Sequence, residues 1–403
     1  MKQKNARGQG ASAFMALSAA ALAIPGIVST AQAAAPIAEA ELGYKASAYR
    51  EADIERSKLA AGSASRYEID THQLRFISPL GRASDLAVDF SYETMSGASP
   101  WFIMPGTSGN GPVQVMSGAS IEEERKDIQA SLGHYFSSQH AAKVLLGYST
   151  ENDYQAVNMG VEGSIEIPAR ELTLTAGLGF SDDEIEPTDP EMPDRIDSAS
   201  RSSTTAFVAV AQVLNANTVV QGSLSMVTND GYLSDPYKKV WRADLSNTVA
   251  DARPNERQQL VLNVRMRHYL PAVRAALHVD YRFFDDDWDI SSHTVDLAWY
   301  QNLGDNWQLT PSLRYYSQSQ AYFYGPFFYN ARSDGYASSD YRLSPYGALS
   351  FRLRLERNWG EFSTNVEWES YRAAASLALD DVGVENPGLV EFDILSLGLK
   401  LHL

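Results

Sequence analysis

The chain has 403 residues, no cysteine and a formal net charge of −17 at pH 7. The lack of cysteine excludes disulfides, thiol catalysis and cysteine-based zinc sites. The acidic balance argues against a nucleic-acid partner, because phosphates require a basic surface.

The N-terminal segment has the three parts of a secretory leader. Basic residues precede an apolar run from about residue 11 to 28, and Ala31-Gln-Ala33 is a small-x-small cleavage pattern. The alternative, a membrane anchor, is disfavoured because Pro25 interrupts the run. We therefore predict a signal peptide at 1–33 and a single barrel domain at 34–403.

Most of the remaining chain alternates apolar and polar residues with a period of two. In the segment 273–283, Leu277 and Val279 fall on one side, while Asp280 and Arg282 fall on the other. Such alternation is typical of a β-strand with one apolar and one polar face. The test predicts sixteen strands, at roughly 40–50, 66–78, 84–95, 123–137, 141–151, 155–167, 171–183, 203–214, 217–229, 258–270, 273–286, 290–303, 306–318, 343–356, 361–374 and 391–403.

Short turns alternate with longer links between these strands, as in transmembrane barrels. No apolar run after the leader approaches the roughly 20 residues that a spanning helix needs. The last predicted strand alternates leucines with polar residues but ends in Leu403 instead of the aromatic residue usual in such barrels. The pattern predicts an all-β fold, a transmembrane antiparallel up-and-down β-barrel of about sixteen strands in a Gram-negative outer membrane. We expect its partners to be outer-membrane lipid, lipopolysaccharide, the barrel-assembly machinery and a periplasmic protein.

Several short motifs are spread over nearly the whole predicted mature chain, and they are specific only as a set. They are Ser96-Gly-Ala-Ser-Pro100, Val115-Met-Ser-Gly-Ala-Ser-Ile121, Gly231-Tyr-Leu-Ser-Asp-Pro-Tyr-Lys238, Arg253-Pro254 with Arg257, Asp285-Asp-Asp-Trp288 with Ser292-His-Thr294, Pro311-Ser-Leu-Arg-Tyr-Tyr-Ser-Gln318 and Ser338-Ser-Asp-Tyr-Arg-Leu343. Together they resemble the outer-membrane β-barrel family of unknown function numbered 3570 (DUF3570). The resemblance implies an outer-membrane barrel, often encoded near a flavinyl transferase and a thioredoxin-like protein. It implies no activity, catalytic residue or cofactor.

The polar faces of the predicted strands carry many charged side chains. If the apolar faces meet lipid, these charges line a lumen that is wide enough for an aqueous channel. The alternative is that the charges pair with one another and fill the interior. The predicted lumen-lining residues are Lys45, Arg75, Asp89, Arg265, Arg267, Arg274, Asp280, Arg282, Asp296, Arg314, Arg352, Arg354, Glu367 and Lys400.

The predicted loop 96–120 is rich in Gly, Ser and Pro and contains the apolar residues Trp101, Phe102 and Met104. Apolar residues in an outer loop need a place to be buried, and the barrel mouth is nearby. We predict that this loop forms a constriction in the mouth. A loop packed across the rim is the alternative.

No catalytic or metal-binding motif stands out in the sequence. Gly-x-Ser-x-Gly, His-Glu-x-x-His, a P-loop and a dinucleotide fingerprint are all absent. The acidic loops lack the spacing of an EF-hand calcium site. His278 and His293, each near an aspartate, are conceivable bases, but no nucleophile is distinguishable. We therefore expect no enzymatic activity, no metal site and no cofactor.

The favoured function is a porin-like channel or binder for polar, in particular anionic, small solutes. Two alternatives remain open. One is a non-conducting structural or docking component of an envelope redox or export system, and the other is an outer-membrane hydrolase. A channel needs an open lumen, whereas a docking barrel needs only its periplasmic turns.

Overall fold

The computed structural model describes residues 36–106, 111–117, 121–188 and 194–403. The predicted signal peptide at 1–33 lies outside these ranges. The strands, numbered in chain order, are β1 (Glu41–Glu51), β2 (Leu59–Ala61), β3 (Glu68–Leu80), β4 (Ser84–Gly97), β5 (Pro100–Met104), β6 (Val113–Met116), β7 (Ile121–Tyr135), β8 (His140–Thr150), β9 (Tyr154–Ile167), β10 (Leu172–Ile185), β11 (Ala199–Asn215), β12 (Thr218–Gly231), β13 (Lys239–Arg242), β14 (Asn247–Ala250), β15 (Glu256–Leu270), β16 (Ala275–Asp286), β17 (Ser291–Leu303), β18 (Trp307–Gln318), β19 (Tyr346–Asn358), β20 (Phe362–Ala374) and β21 (Glu391–His402).

Helical structure is confined to single 3-10 turns within the described ranges. They lie at Arg56–Lys58, Pro168–Arg170, Pro271–Val273, Tyr341–Leu343 and Ala375–Leu377. None of the described helices has the length and apolar character required to cross a membrane.

Sixteen of the strands form one closed barrel. Each barrel strand pairs antiparallel with the preceding and the following barrel strand, and β1 pairs with β21 to close the ring. The predicted up-and-down barrel is therefore confirmed, and every predicted strand end lies within four residues of the observed one. The period of two predicts the strands correctly because each barrel strand has one face toward the outside and one toward the lumen.

The two ends of the barrel differ in the length of their connections. At one end, short turns join the strands, and the first and last strands also begin or end there. In two of these turns a proline starts a 3-10 turn that ends in a left-handed residue, Glu171 or Arg274, each with φ of 52°. At Gly81 and Gly304 a glycine supplies the positive φ. We call this the short-turn end.

The outer face of the barrel is a belt of exposed apolar side chains. Leu146, Leu178 and Leu397 are each 58–59% exposed in the middle of their strands. So wide an apolar surface on a closed barrel is the surface that meets lipid. Near the short-turn end, the guanidinium of Arg357 lies 3.6 Å from the ring centre of Trp359, in the position of an interfacial aromatic girdle. The chain is thus an outer-membrane type of β-barrel.

At the opposite end, long loops pack into one layer that we call the cap. The cap consists of the described parts of 52–67, 98–120, 232–255, 319–345 and 375–390. Within it, β2, β6 and β5 form a small sheet, and β13 and β14 form a hairpin. The cap has its own apolar clusters, one of which joins Phe323 and Leu343 of the cap to Trp288 in the turn between β16 and β17. These clusters hold the loops over the barrel mouth.

Candidate functional site

The barrel encloses a cavity of about 1460 Å³. Its wall carries twelve arginine and lysine side chains but only seven carboxylates. This excess of positive charge contrasts with the formal charge of the whole chain, which is −17. The acidic residues that dominate the composition therefore lie mostly away from the lumen.

The charges are unevenly distributed around the wall. Asp89 and Glu93 of β4 and Asp127 of β7 lie on one side. Arg265 of β15 and Arg282 of β16 lie on the other. In the ring of sixteen strands, β4 is eight strands from β16, and β7 is eight from β17. The carboxylates on the first side lie 3.6–3.8 Å from Arg75 or Arg125, so the charges there are largely paired. Arg265 and Arg282 face this side across the lumen.

Arg125 of β7 is surrounded by carboxylates. Arg125 lies 3.6 Å from Glu93, 3.8 Å from Asp127 and 3.7 Å from Glu151. Burial raises the pKa of Glu151, in the loop after β8, well above its ordinary value, and Arg125 offsets only part of this shift. Throughout the ranges the structure covers, no group of three or more acidic or histidine side chains is arranged to hold a metal ion.

Exposure changes along the barrel axis. Toward the short-turn end, the side chains of Arg75 and Lys400 are 60% and 45% exposed. At the cap, the side chains of Arg66 and Glu51 are 3% and 5% exposed. The lumen is therefore more accessible to solvent toward the short-turn end than at the cap.

The structure places the predicted lumen residues in three groups. The cavity is lined by Lys45, Arg75, Asp89, Arg265, Arg282, Arg354 and Lys400. A second group is held in ion pairs between strands, and it comprises Arg267 with Asp280, Arg314 with Asp296, Arg352 with Glu369 and Lys45, which also lines the cavity, with Glu367. Both interpretations of the charged faces therefore apply, and several residues line the cavity and also form an ion pair.

Arg274 is the exception, and its predicted position on the lumen wall is wrong. It is the left-handed residue that ends the turn Pro271–Val273, and its guanidinium lies 3.2 Å from Asp305 of the neighbouring turn. The alternation of inward and outward side chains cannot be extended through a turn, because the chain no longer alternates between two faces there. Arg274 lies on the rim at the short-turn end.

The predicted constriction also needs correction. Trp101, Phe102 and Met104 belong to β5 in the cap, and none of them lines the cavity. Phe102 stacks instead on Trp241 of the β13–β14 hairpin, with ring centres 6.3 Å apart. The hairpin, and not the lumen, therefore provides the apolar surface against which Phe102 packs. The loop therefore builds the cap and does not narrow the lumen with these side chains.

A buried ionic network joins the cap loops. Arg253 donates to Asp251 over 2.7 Å and to Asp340 over 2.9 Å. Arg342 binds Asp340 and donates to Asp235 over 2.8 Å. Burial by itself would raise the pKa of Asp340, but Arg342, Lys238 and Arg253 together hold it well below its usual range. Asp340 is therefore an ionised carboxylate at the centre of the network.

Two more contacts extend the network to other loops. The buried ammonium of Lys238 donates to the carbonyl of Pro100 over 3.3 Å, and burial lowers the pKa of Lys238. Arg66 donates to Glu51 over 2.7 Å and to the carbonyl of Gly388 over 3.1 Å. The cap is thus cross-linked by hydrogen bonds as well as by apolar packing.

The cap network is not among the sites predicted from the sequence. Asp235, Lys238, Arg253, Asp340 and Arg342 all lie in the motifs that carry the family resemblance. The period-two alternation applies to strands only. It therefore does not predict where charged side chains in long loops point. The motifs themselves were the available signal, because they cluster in the loops that meet in the cap.

Solved barrels of low sequence identity resemble the structure. The siderophore receptor PirA from Pseudomonas aeruginosa is 11% identical, with a TM-score of 0.43 and coverage of 84% of this chain and 56% of the receptor. A bacterial polysaccharide outer membrane secretin is 10% identical, with a TM-score of 0.48 and coverage of 91% and 98%. The monoaromatic hydrocarbon channel CymD is 10% identical, with a TM-score of 0.42 and coverage of 91% and 88%. This chain spans little more than half the length of the receptor.

No curated protein sequence matches this chain. A family match, in contrast, covers residues 14–388, which is nearly the whole sequence. It agrees with the resemblance carried by the loop and strand motifs. The chain belongs to the family described as "Protein of unknown function (DUF3570)".

Proposed function

We propose that the protein is a gated, porin-like barrel that takes up a polar small solute in its lumen. The short turns face the periplasm, as in other barrels of this type, and the cap faces outward. The observation that carries the proposal is the contrast between a solvent-accessible, charged lumen and a buried, ion-paired cap over its outer mouth. Passage across the membrane then requires the cap to open.

Opening the cap requires buried ion pairs to be broken. Removing one partner of a buried ion pair leaves an uncompensated charge and costs about 3–5 kcal/mol. The Asp340 side chain is fully buried and binds both Arg253 and Arg342. A change at this one residue therefore weakens contacts between several loops and leaves the barrel wall intact.

The experiment compares single-channel conductance of refolded wild-type protein and Asp340→Asn in planar bilayers. We expect the wild type to be mostly closed and the variant to show frequent or steady open steps. Asp334→Asn is the matched control, because Asp334 lies in the same loop and pairs only at the surface, with Arg332 at 2.6 Å. Silence from folded Asp340→Asn barrels would contradict a gated channel and favour the non-conducting docking barrel.

The proposal includes no catalytic role. His293 lies on the outer face, where its Nδ1 is 2.8 Å from the hydroxyl of Tyr281, and the ring of His278 packs against Tyr300 with centres 4.2 Å apart. Neither arrangement provides an acid, a base and a nucleophile together. Assembly by the barrel-assembly machinery, contact with lipopolysaccharide and docking of a periplasmic protein at the short turns belong to the same proposal.

A further inference from the structure

Two arginines on the lumen wall differ from the others. Arg265 of β15 and Arg282 of β16 both line the cavity. In the part of the chain that the structure covers, neither forms an ion pair, whereas Arg75, Arg354 and Lys400 on the same wall each have a carboxylate partner. Their positive charge is therefore available to something that enters the lumen.

The nearby carboxylates are already occupied. Asp280 lies directly across from Arg265 in the strand register, yet both of its oxygens bind Arg267, one at 2.9 Å. Asp296 of β17 accepts from Arg314 over 2.8 Å. This part of the wall therefore has two guanidinium groups more than its carboxylates can neutralise.

Arg265 and Arg282 occupy neighbouring positions on one face of the sheet. Asn263 pairs with Arg282 and Arg265 with Asp280, so Arg265 and Arg282 are diagonal neighbours on adjacent strands. Diagonal positions on one face are about 7–8 Å apart, within reach of two long side chains. Ser223 of β12 and Asn263 also line this patch and add hydroxyl and amide groups.

We infer that Arg265 and Arg282 form a binding subsite for the anionic group of a lumenal solute, a carboxylate or a phosphate. This inference rests on the proposed function and names the class of solute. Each guanidinium presents a planar set of N–H donors that matches either anion in a bidentate fashion. Both side chains are half-buried, so they lose part of their hydration and gain from a counter-charge.

The opposite wall does not compete for the anion. There, Asp89, Glu93 and Asp127 lie 3.6–3.8 Å from Arg75 or Arg125, so the charges of that wall are largely paired. The anionic group is therefore held on the β15–β16 side of the lumen.

The test is isothermal titration of the full-length refolded barrel with sodium phosphate and with sodium succinate. We expect Arg265→Gln and Arg282→Gln each to weaken binding about tenfold or more, because each removes charged hydrogen bonds. Arg354→Gln is the matched control, since it removes one lumenal charge but from an ion pair with Glu356 at 2.5 Å. Heat-modifiable migration in gels confirms that each variant is folded.

The outcomes are distinct. Equal weakening by Arg354→Gln would show a general effect of lumen charge and overturn the subsite. Absence of phosphate and succinate binding to the wild type would also overturn it. Swelling of liposomes that contain the Asp340→Asn barrel, measured with neutral glucose, tests the proposed function separately. Glucose uptake without anion binding would remove the subsite alone, whereas failure of uptake would remove the channel.

Discussion

Asp153 links the turn between β8 and β9 to the cap. The hydroxyl of Tyr237 donates to its carboxylate, and the guanidinium of Arg195 lies 4.8 Å from the centre of the Tyr237 ring. Burial raises the pKa of Asp153 to about 6, although the hydrogen bond from Tyr237 opposes the shift, and Asp235 raises it further. The folded cap therefore prefers the protonated form of this carboxyl group.

This shift predicts that the cap becomes less stable as the pH rises. The pKa in the folded state lies above the unfolded value of about 3.9, so the stabilisation is complete below about pH 4 and is lost as the pH rises through about 6. Hydrogen exchange of the cap amides between pH 4 and 7 measures this loss of stability. Asp153→Asn should reduce the pH dependence, with the remainder due to other buried carboxyl groups such as Glu151 and Asp251. A slope equal to that of the wild type would contradict the assignment.

Gly231 shows how a strand is joined to the cap. It ends β12 with φ of +116°, and its amide donates to the carbonyl of Asn255 over 2.8 Å. A Cβ at this position would lie 2.4 Å from the carbonyl oxygen of Ser200 on the neighbouring strand. Only a residue without a side chain fits here, so the direction in which the loop leaves the barrel is fixed by this glycine.

We predict that Gly231→Ala destabilises the protein by about 3 kcal/mol or more, because backbone strain and a backbone clash act together. The control is Gly81→Ala, where φ is also positive, at +70°, but no atom lies within 4 Å of the added Cβ. That change should cost only about 1–2 kcal/mol. Urea unfolding in detergent micelles measures both, and equal losses would show that the clash is relieved.

At the scale of elements, the sequence predicts the strands well and the cap poorly. A strand such as β16 reveals itself within about a dozen residues, because its two faces meet different surroundings. The cap network depends on pairs such as Arg253 with Asp340 and Arg342 with Asp235, which are 87 and 107 residues apart. No local pattern records such a pairing.

In the lumen, too, the sequence predicts local features but not which charged side chains pair with one another. The period-two alternation predicts which side chains face inward, but it cannot distinguish an arginine in an ion pair from one without a partner. Asp280 could bind either Arg265, directly across the register, or Arg267, and the three-dimensional arrangement selects Arg267. The candidate anion subsite therefore follows from the structure and not from the sequence.

For the whole molecule, the apolar belt defines a depth in the membrane. Leu178 lies in the middle of β10, whereas Leu80 ends β3 at the short-turn end, and both are exposed on the outer face. A cation at the centre of the bilayer cannot reach water, but one at the edge can.

We therefore predict that Leu178→Arg destabilises the barrel by about 2–4 kcal/mol and Leu80→Arg by no more than about 1 kcal/mol. Reversible urea unfolding in lipid vesicles, followed by tryptophan fluorescence, measures the difference. Similar losses in detergent micelles and in vesicles would show that the effect does not come from lipid. Equal losses for the two variants would contradict the depth assigned to the belt.

The pairing of β1 with β21 also sets the order in which the molecule can assemble. These strands lie at opposite ends of the barrel sequence, so the ring cannot close until the last strand has been delivered. Arg66 and Gly388, which touch in the cap, belong to the loops that flank this seam, as do Lys58 and Glu385. The cap therefore acquires the contacts across this seam only when the first and last strands have come together.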